Sequence, residues 1–153
     1  WPESKPISVR ISAVDWVEGG NSAEDAVAIA RLFKAAGVDA IDVSTGQVSK
    51  LQKPVYGRMY QTPFADKIRS EVGIPTLAVG NIYEHDHVNT IIASGRADIC
   101  LLARPHLSDP HWTLRAAAEL GYQEQDWPVQ YASAKRQLET NLAKAKANSG
   151  NPL

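Results

Sequence analysis

Cysteine occurs once, at Cys100, inside an apolar run. The chain therefore carries no internal disulfide framework and no thiolate metal cluster, which fits a reducing compartment such as the cytoplasm. No apolar run approaches the roughly 18 residues that span a membrane. No charged segment followed by an apolar stretch resembles a secretory signal. The net charge is only −1, and no basic stripe offers a nucleic-acid footprint. G-x-S-x-G and the full Walker motif are both missing, so neither a hydrolase elbow nor an NTP-cradling loop is supported. The first residue is Trp1 rather than methionine, and the chain reads as excised from something longer. Its tail, "NSGNPL", is polar and expected to fray.

What the chain does have is ordinary globular material: 153 residues, 44% hydrophobic and 22% charged, which suits one domain. A short apolar strand, a loop and an amphipathic helix recur four times. "ISVRISA" (Ile7 to Ala13) is the first strand. Its helix begins near Ser22, with Asp25 as a capping-box acid, an apolar face of Ala26, Ile29, Ala30 and Phe33, and Gly37 as its stop. "AIDVS" (Ala40 to Ser44) is the second strand. After a long loop, Thr62 is read as the N-cap of a helix with Pro63 at its first position. Phe64, Ile68 and Val72 line that helix, and Gly73 ends it. The third strand is Pro75 to Gly80, and its helix runs from about His85 to Ser94 with Val88, Ile91 and Ile92 apolar. "ADICLLA" is the fourth strand. A short turn, Pro105 to Leu107, and a helix from Asp109-Pro110 to Leu120 follow it. Val129 to Ala147 predicts a further helix.

Strict βα alternation implies parallel strands covered by helices. Two architectures give this pattern. An open doubly wound sheet usually has five or six strands. A (β/α)8 barrel needs about 250 residues, so four units would be half of one and would leave two edges in need of a partner half. The expectation is an α/β fold, the C-terminal half of a TIM barrel. Residues 1–125 would form strands five to eight, and 126–153 a helical extension and frayed tail.

Ligands sit at the C-terminal ends of the strands in both architectures. Those ends are Arg10-Ile11-Ser12, Ser44-Thr45-Gly46, Gly80-Asn81 and Ala103-Arg104. Glycine lets backbone approach a ligand closely, and arginine forks onto phosphate or carbonyl oxygens. Barrels often build a phosphate site from the loops after strands seven and eight plus a short helix, so Gly80 and Arg104, with the backbone N–H groups of the turn at Pro105, are read as a phosphate anchor. The plainer alternatives are a surface salt bridge for Arg104 and simple turns for the glycines. Arg10 lies between Val9 and Ile11 in an apolar strand. It is read as buried, either in an internal ion pair with Asp42 or as a cation facing an electron-rich ring or carbonyl.

The loop "QVSKLQKPVYGRMYQ" is long for a βα connection. Tyr56, Arg58 and Tyr60 within it would suit a flat, anionic or thioester-bearing ligand; a loop that merely folds over the rim is the alternative. His85 and His87 flank Asp86 and are read as an exposed, capped helix start, because residues two apart do not share a helix face. His106 and His111 lack an acidic pattern for zinc, so no metal site is expected.

"VRISAVDW", "GVDAIDVSTG", "TPFADKIRSEVGIPTLAVGNI", "GRADICLLARPHLSDPHWTLRAAAELG" and "WPVQY" resemble, in order and spacing, the C-terminal half of the Old Yellow Enzyme family, the FMN-dependent ene-reductases. The match covers about Val9 to Tyr131. The stretch "KPVYGRMYQTPF" is most similar to the reductase half of the bifunctional 2-aminobenzoyl-CoA monooxygenase/reductase and salicylyl-CoA hydroxylase group. The resemblance implies that Arg10 contacts the N1/O2 edge of FMN and that Ser44 and Gly46 lie near its ribityl-phosphate. Gly80, Asn81, Ala103 and Arg104 would belong to the cofactor site, with the N–H groups of Gly80, Ala103 and Arg104 on the phosphate. The family usually has Gly-Arg where this chain has Ala103-Arg104; alanine still donates its N–H if its φ is negative. Ser133 stands where the family's bacterial, thermophilic-like branch often carries an intersubunit arginine.

The family's substrate-gripping His-His or His-Asn pair and proton-donating tyrosine belong to the N-terminal half, so the catalytic acid residues are unknown here. The resemblance implies hydride transfer from NAD(P)H through FMN to an activated alkene or a dearomatised acyl-CoA, with the isolated chain inactive or weakly active at best. Its partners would be a small-molecule substrate, with an acyl-CoA among the candidates, and either the N-terminal half-barrel or a homo-oligomer. From a different class, the chain would be a non-catalytic phosphate-ligand-binding domain that closes its sheet by self-association. A flavin-free aldolase or isomerase barrel is disfavoured, since no strand ends in a lysine fit for a Schiff base.

Overall fold

The computed structural model describes residues 1–149; the end of the expected frayed tail, residues 150–153, lies outside the described residues. The chain divides into two compact units, Trp1–Leu102 and Ala103–Leu153.

The first unit holds four strands, β1 (Ser8–Ser12), β2 (Ala40–Ser44), β3 (Thr76–Ala78) and β4 (Ile99–Cys100). They pair in parallel in the order β1-β2-β3-β4. Three helices connect them: α1 (Ala23–Ala35), α2 (Thr62–Val72) and α3 (His85–Ala93). Each new strand is added on the same side of the last, and right-handed crossovers then put every connecting helix on one face of the sheet. No reversal of strand order occurs among the described strands, so the doubly wound alternative fails here.

Burial follows the period-2 alternation of the strands. Ile41, Val43, Thr76 and Ala78 point toward the helices and are fully buried. The row Arg10–Asp42–Leu77–Ile99, in register across all four strands, occupies the opposite face. That face is open: Ile99 is 51% exposed. Between sheet and helices lies one core, which includes Ala26, Val27, Ala30, Ala65, Ile68, Ile74, Ile82 and Ile91. The alanines of α1 and α2 let those helices come close to the sheet.

Local chemistry explains the helix ends. The Ser22 hydroxyl accepts from the Asp25 N–H at 3.2 Å, and the Asp25 carboxylate accepts from the Ser22 N–H at 2.9 Å. This capping box satisfies two orphan donors, and the Ser22 hydrogen bonds hold the Asp25 carboxyl below its usual range. Gly73 ends α2 in the left-handed region at φ 65°, where glycine carries no Cβ penalty.

Four expectations for the first unit need correction. Gln61, not Thr62, is the N-cap of α2 and makes no side-chain cap; Thr62 is the first helical residue, buried, with its hydroxyl unpaired. His87 is buried rather than exposed, because it shares the inward face of α3 with Ile91 one turn on, while Ile92 turns outward. β4 pairs over two residues instead of seven, since the N–H of Leu101 makes the last bond to Ala78. Arg10 is not buried, for the reason the alternation gives: its apolar neighbours face the helices and it faces the other way.

The second unit contains α4 (Arg104–Ser108), α5 (Trp112–Leu120), a 3-10 turn at Val129–Tyr131 and α6 (Ala132–Ser149). Trp112, Ala116 and Ala117 are its buried residues in α5. The expected turn at Pro105 is a short helix, and the next helix starts at Trp112 rather than Asp109 because Asp109 closes α4. None of the described helices is long and apolar enough to cross a membrane.

Candidate functional site

Backbone strain in the first unit concentrates at one end of the sheet. The four non-glycine residues with positive φ among those described are Trp16, Gln47, Met59 and Asn81, at 53–65°. All four lie in the segments that follow the C-terminal ends of β1, β2 and β3. Gly46 (φ 73°) and Gly80 (φ 107°) lie there too. Such conformations cost energy, persist where surrounding structure fixes them, and gather at functional sites.

Hydrogen bonds on buried and part-buried groups fix them here. After β1, the buried Asp15 carboxylate accepts from the Ser12 hydroxyl at 2.6 Å and from the Asn21 N–H at 2.8 Å. The Ser12 oxygen in turn accepts from the Gly46 N–H at 3.0 Å, and the same N–H reaches Val14 O at 2.8 Å. The β1 loop is thereby fastened to the end of β2. A second clasp joins β2 to β3. Gln61, buried, accepts through Oε1 from the Thr45 N–H at 2.5 Å and the Thr45 hydroxyl at 2.8 Å. Its Nε2 donates to Val79 O at 2.8 Å.

Arg10 lies on the open face, with Nε and Nη2 each 2.7 Å from Asp42 Oδ2. The ion pair anticipated with Asp42 is present. It occupies two guanidinium nitrogens and leaves Nη1 without a partner among the described residues. Two buried polar atoms of this region also lack partners, Trp16 Nε1 and Asp42 Oδ1. The half-exposed Arg10 guanidinium, with Nη1 unspent, is a donor that an anionic, oxygen-bearing ligand can use.

Other proposed site residues divide by what already occupies them. Ser44 spends its hydroxyl on Ile11 O at 3.0 Å. Asn81 donates to Gly57 O at 3.0 Å, and its own carbonyl accepts from Met59 N. The space a Cβ would fill at Gly80 is held by the Gln61 side chain, and that at Gly46 by Gln52 and Trp16. Glycine is therefore required at both positions by this chain's own packing. The Gly80 and Asn81 N–H groups make no hydrogen bond among the described residues.

The 47–61 loop is fastened at two points along its middle, by Lys53 N to Trp16 O at 2.8 Å and by the Asn81–Gly57 bond. Tyr56 and Tyr60 stack edge to face at 5.3 Å; Tyr56 and Arg58 are exposed. In the second unit, Ala103 has φ −102°, which meets the condition for its N–H to donate. Arg104 is exposed, opens α4 and has no ion pair among the described residues. The N–H groups of His106 and Leu107 are spent on Ala103 O. Among the described residues no group of His, Cys, Asp or Glu converges to hold a metal.

Sequence reasoning missed Gln61 and Asp15.

The family model described as NADH:flavin oxidoreductase / NADH oxidase matches residues 2–123. An NADPH dehydrogenase of Listeria innocua is 41% identical over 129 residues, covering 84% of this chain and 38% of the relative. NADPH dehydrogenases of Geobacillus thermodenitrificans and Halalkalibacterium halodurans are 44% and 43% identical, over 82% and 76% of this chain and 36% and 34% of their own. The chain thus spans little more than a third of the length of these relatives. With a family model covering most of its length and parallel βα units beneath it, the chain belongs to the NADH:flavin oxidoreductase / NADH oxidase family.

Proposed function

We propose that the chain is the FMN-binding part of an NAD(P)H-dependent, ene-reductase-like oxidoreductase. The observation that carries this reading is Arg10, held by Asp42 on the open face of a parallel sheet whose C-terminal end is strained and fastened. FMN, when bound, supplies a carrier that takes hydride from NAD(P)H and delivers it to an activated alkene. The residues of this chain bind and orient. Arg10 places positive charge where the reduced cofactor is most electron-rich, and Asp42 fixes its direction. The unspent N–H groups of Gly80 and Asn81 are donors for the cofactor's anionic end. Ser44 and Gly46 shape the wall beside it. Ala103 and Arg104, in the second unit, are proposed as phosphate-binding residues on the family pattern alone.

The same reading makes the sheet the fifth to eighth strands of a (β/α)8 barrel. Parallel sheets are ordinarily covered on both faces, and this one is covered on one. Its open face and two free edges are proposed to close against a complementary half-barrel or, failing that, a second copy. Tyr56, Arg58 and Tyr60 are proposed to wall the substrate side, and their chemistry suits an acyl-CoA, as in the bifunctional monooxygenase/reductase group. The cytoplasm is the proposed compartment.

The test is to load the purified chain with FMN, remove free flavin by gel filtration, and add NADPH without oxygen. Yellow protein is the expected result, with no alkene turnover by the chain alone. The open face also favours a second reading, a non-catalytic phosphate-ligand domain that self-associates. Colourless protein at dimer mass would select it.

A further inference from the structure

We infer that Gln61 is a positioning residue: one buried side chain that clasps the ends of β2 and β3 and so sets the spacing of the two loops facing the ligand. The inference rests on the FMN reading only for the ligand's identity. The clasp itself is local geometry. An amide offers one acceptor oxygen and an N–H donor. The oxygen takes both Thr45 donors, at 2.5 and 2.8 Å, and the NH2 takes Val79 O at 2.8 Å. Val79 and Thr45 lie immediately beyond strands β3 and β2 and directly before Gly80 and Gly46. The Gln61 side chain also fills the volume beside Gly80, so the loop there can adopt φ 107° only because residue 80 has no side chain. Gln61 leads straight into α2, and the helix carries the clasp on a rigid base.

No aliphatic residue can replace it, because two buried donors and one part-buried acceptor would be left without this partner. Glutamate can do so only when protonated. Then it keeps one donor and one acceptor; ionised, it turns a bare oxygen toward Val79 O. Burial and the need to donate both favour the protonated form in the folded chain.

The test compares wild type, Gln61→Ala and Gln61→Glu by amide hydrogen exchange without ligand and by FMN titration. In Gln61→Ala the Thr45 amide should exchange faster, while Ile41 and Ala78 change no more than global stability requires. In Gln61→Glu, Thr45 protection relative to intrinsic exchange should recover as pH falls. FMN affinity should drop roughly 5- to 100-fold in Gln61→Ala, the range expected for orphaned buried hydrogen-bonding groups. Uniform acceleration through the whole unit, or none at Thr45, would overturn the clasp. Local acceleration with unchanged FMN affinity would overturn the positioning role. Failure of wild type to bind FMN would instead overturn the functional reading, and the exchange data would still decide the clasp.

Discussion

Arg10 and Asp42 stand directly opposite each other on neighbouring parallel strands, and one carboxylate oxygen takes both Nε and Nη2 at 2.7 Å. The two partners are unequally buried: the arginine side chain is 58% exposed and the aspartate 14%. Removing either one therefore has different consequences. Arg10→Ala leaves a largely buried carboxylate with neither oxygen paired, at a cost of about 1–3 kcal/mol. Asp42→Asn leaves an arginine that water can solvate, at a cost of about 1 kcal/mol or less. Urea unfolding of the two variants should show that order. Equal losses would mean that the pair acts as an ordinary surface bridge.

Ser22 caps α1 and, with Asp25, closes a reciprocal box. Ser22→Ala should destabilise the chain by about 1 kcal/mol, read as a lower denaturation midpoint with unchanged slope. A change in slope would point instead to altered compactness.

Asp98 ties the opposite end of the sheet. It pairs with Arg69 Nε and Nη2 at 3.1–3.2 Å and accepts from the Thr76 N–H at 2.9 Å. Arg69 first, and Thr76 with it, outweigh desolvation and hold the Asp98 carboxyl below its ordinary 3.8. A carboxyl whose pKa is depressed by folding gives stability that is present above 3.8 and is lost as pH falls through the lower, folded-state value. Asp98→Asn should lower the melting temperature at neutral pH and make the acid limb shallower. A parallel shift at every pH would show that Asp98 acts without its charge.

Gly80 separates two causes of glycine dependence. Its φ is 107° and a Cβ would strike Gln61; Gly37, at φ 92°, has open space around it. Gly37→Ala should cost only the backbone strain, about 1–3 kcal/mol. Gly80→Ala should cost more, and the excess should vanish in a Gln61→Ala background, where a double-mutant cycle reads the coupling. Additive losses would place the collision elsewhere.

The alternation of strands and helices was legible because each carries its own period, and the Ser22–Asp25 box and Gly73 stop were legible because caps are local. Arg10's partner was legible for the same reason that its burial was not. Asp42 follows from parallel register, but a strand's flanking apolar residues say nothing of which face is covered. His87 and Gln61 were missed because both are polar residues buried by tertiary neighbours: α3 packing for one, the ends of β2 and β3 for the other. The length of β4 was overread, since an apolar run continues past the point where pairing stops.

The most direct test is an FMN titration of the purified chain, followed by visible absorption and flavin fluorescence, in wild type and Arg10→Ala. Saturable binding by wild type that weakens in Arg10→Ala is the expected result. A flat titration in wild type, or equal binding by both proteins, would contradict an FMN site built around the Arg10–Asp42 pair.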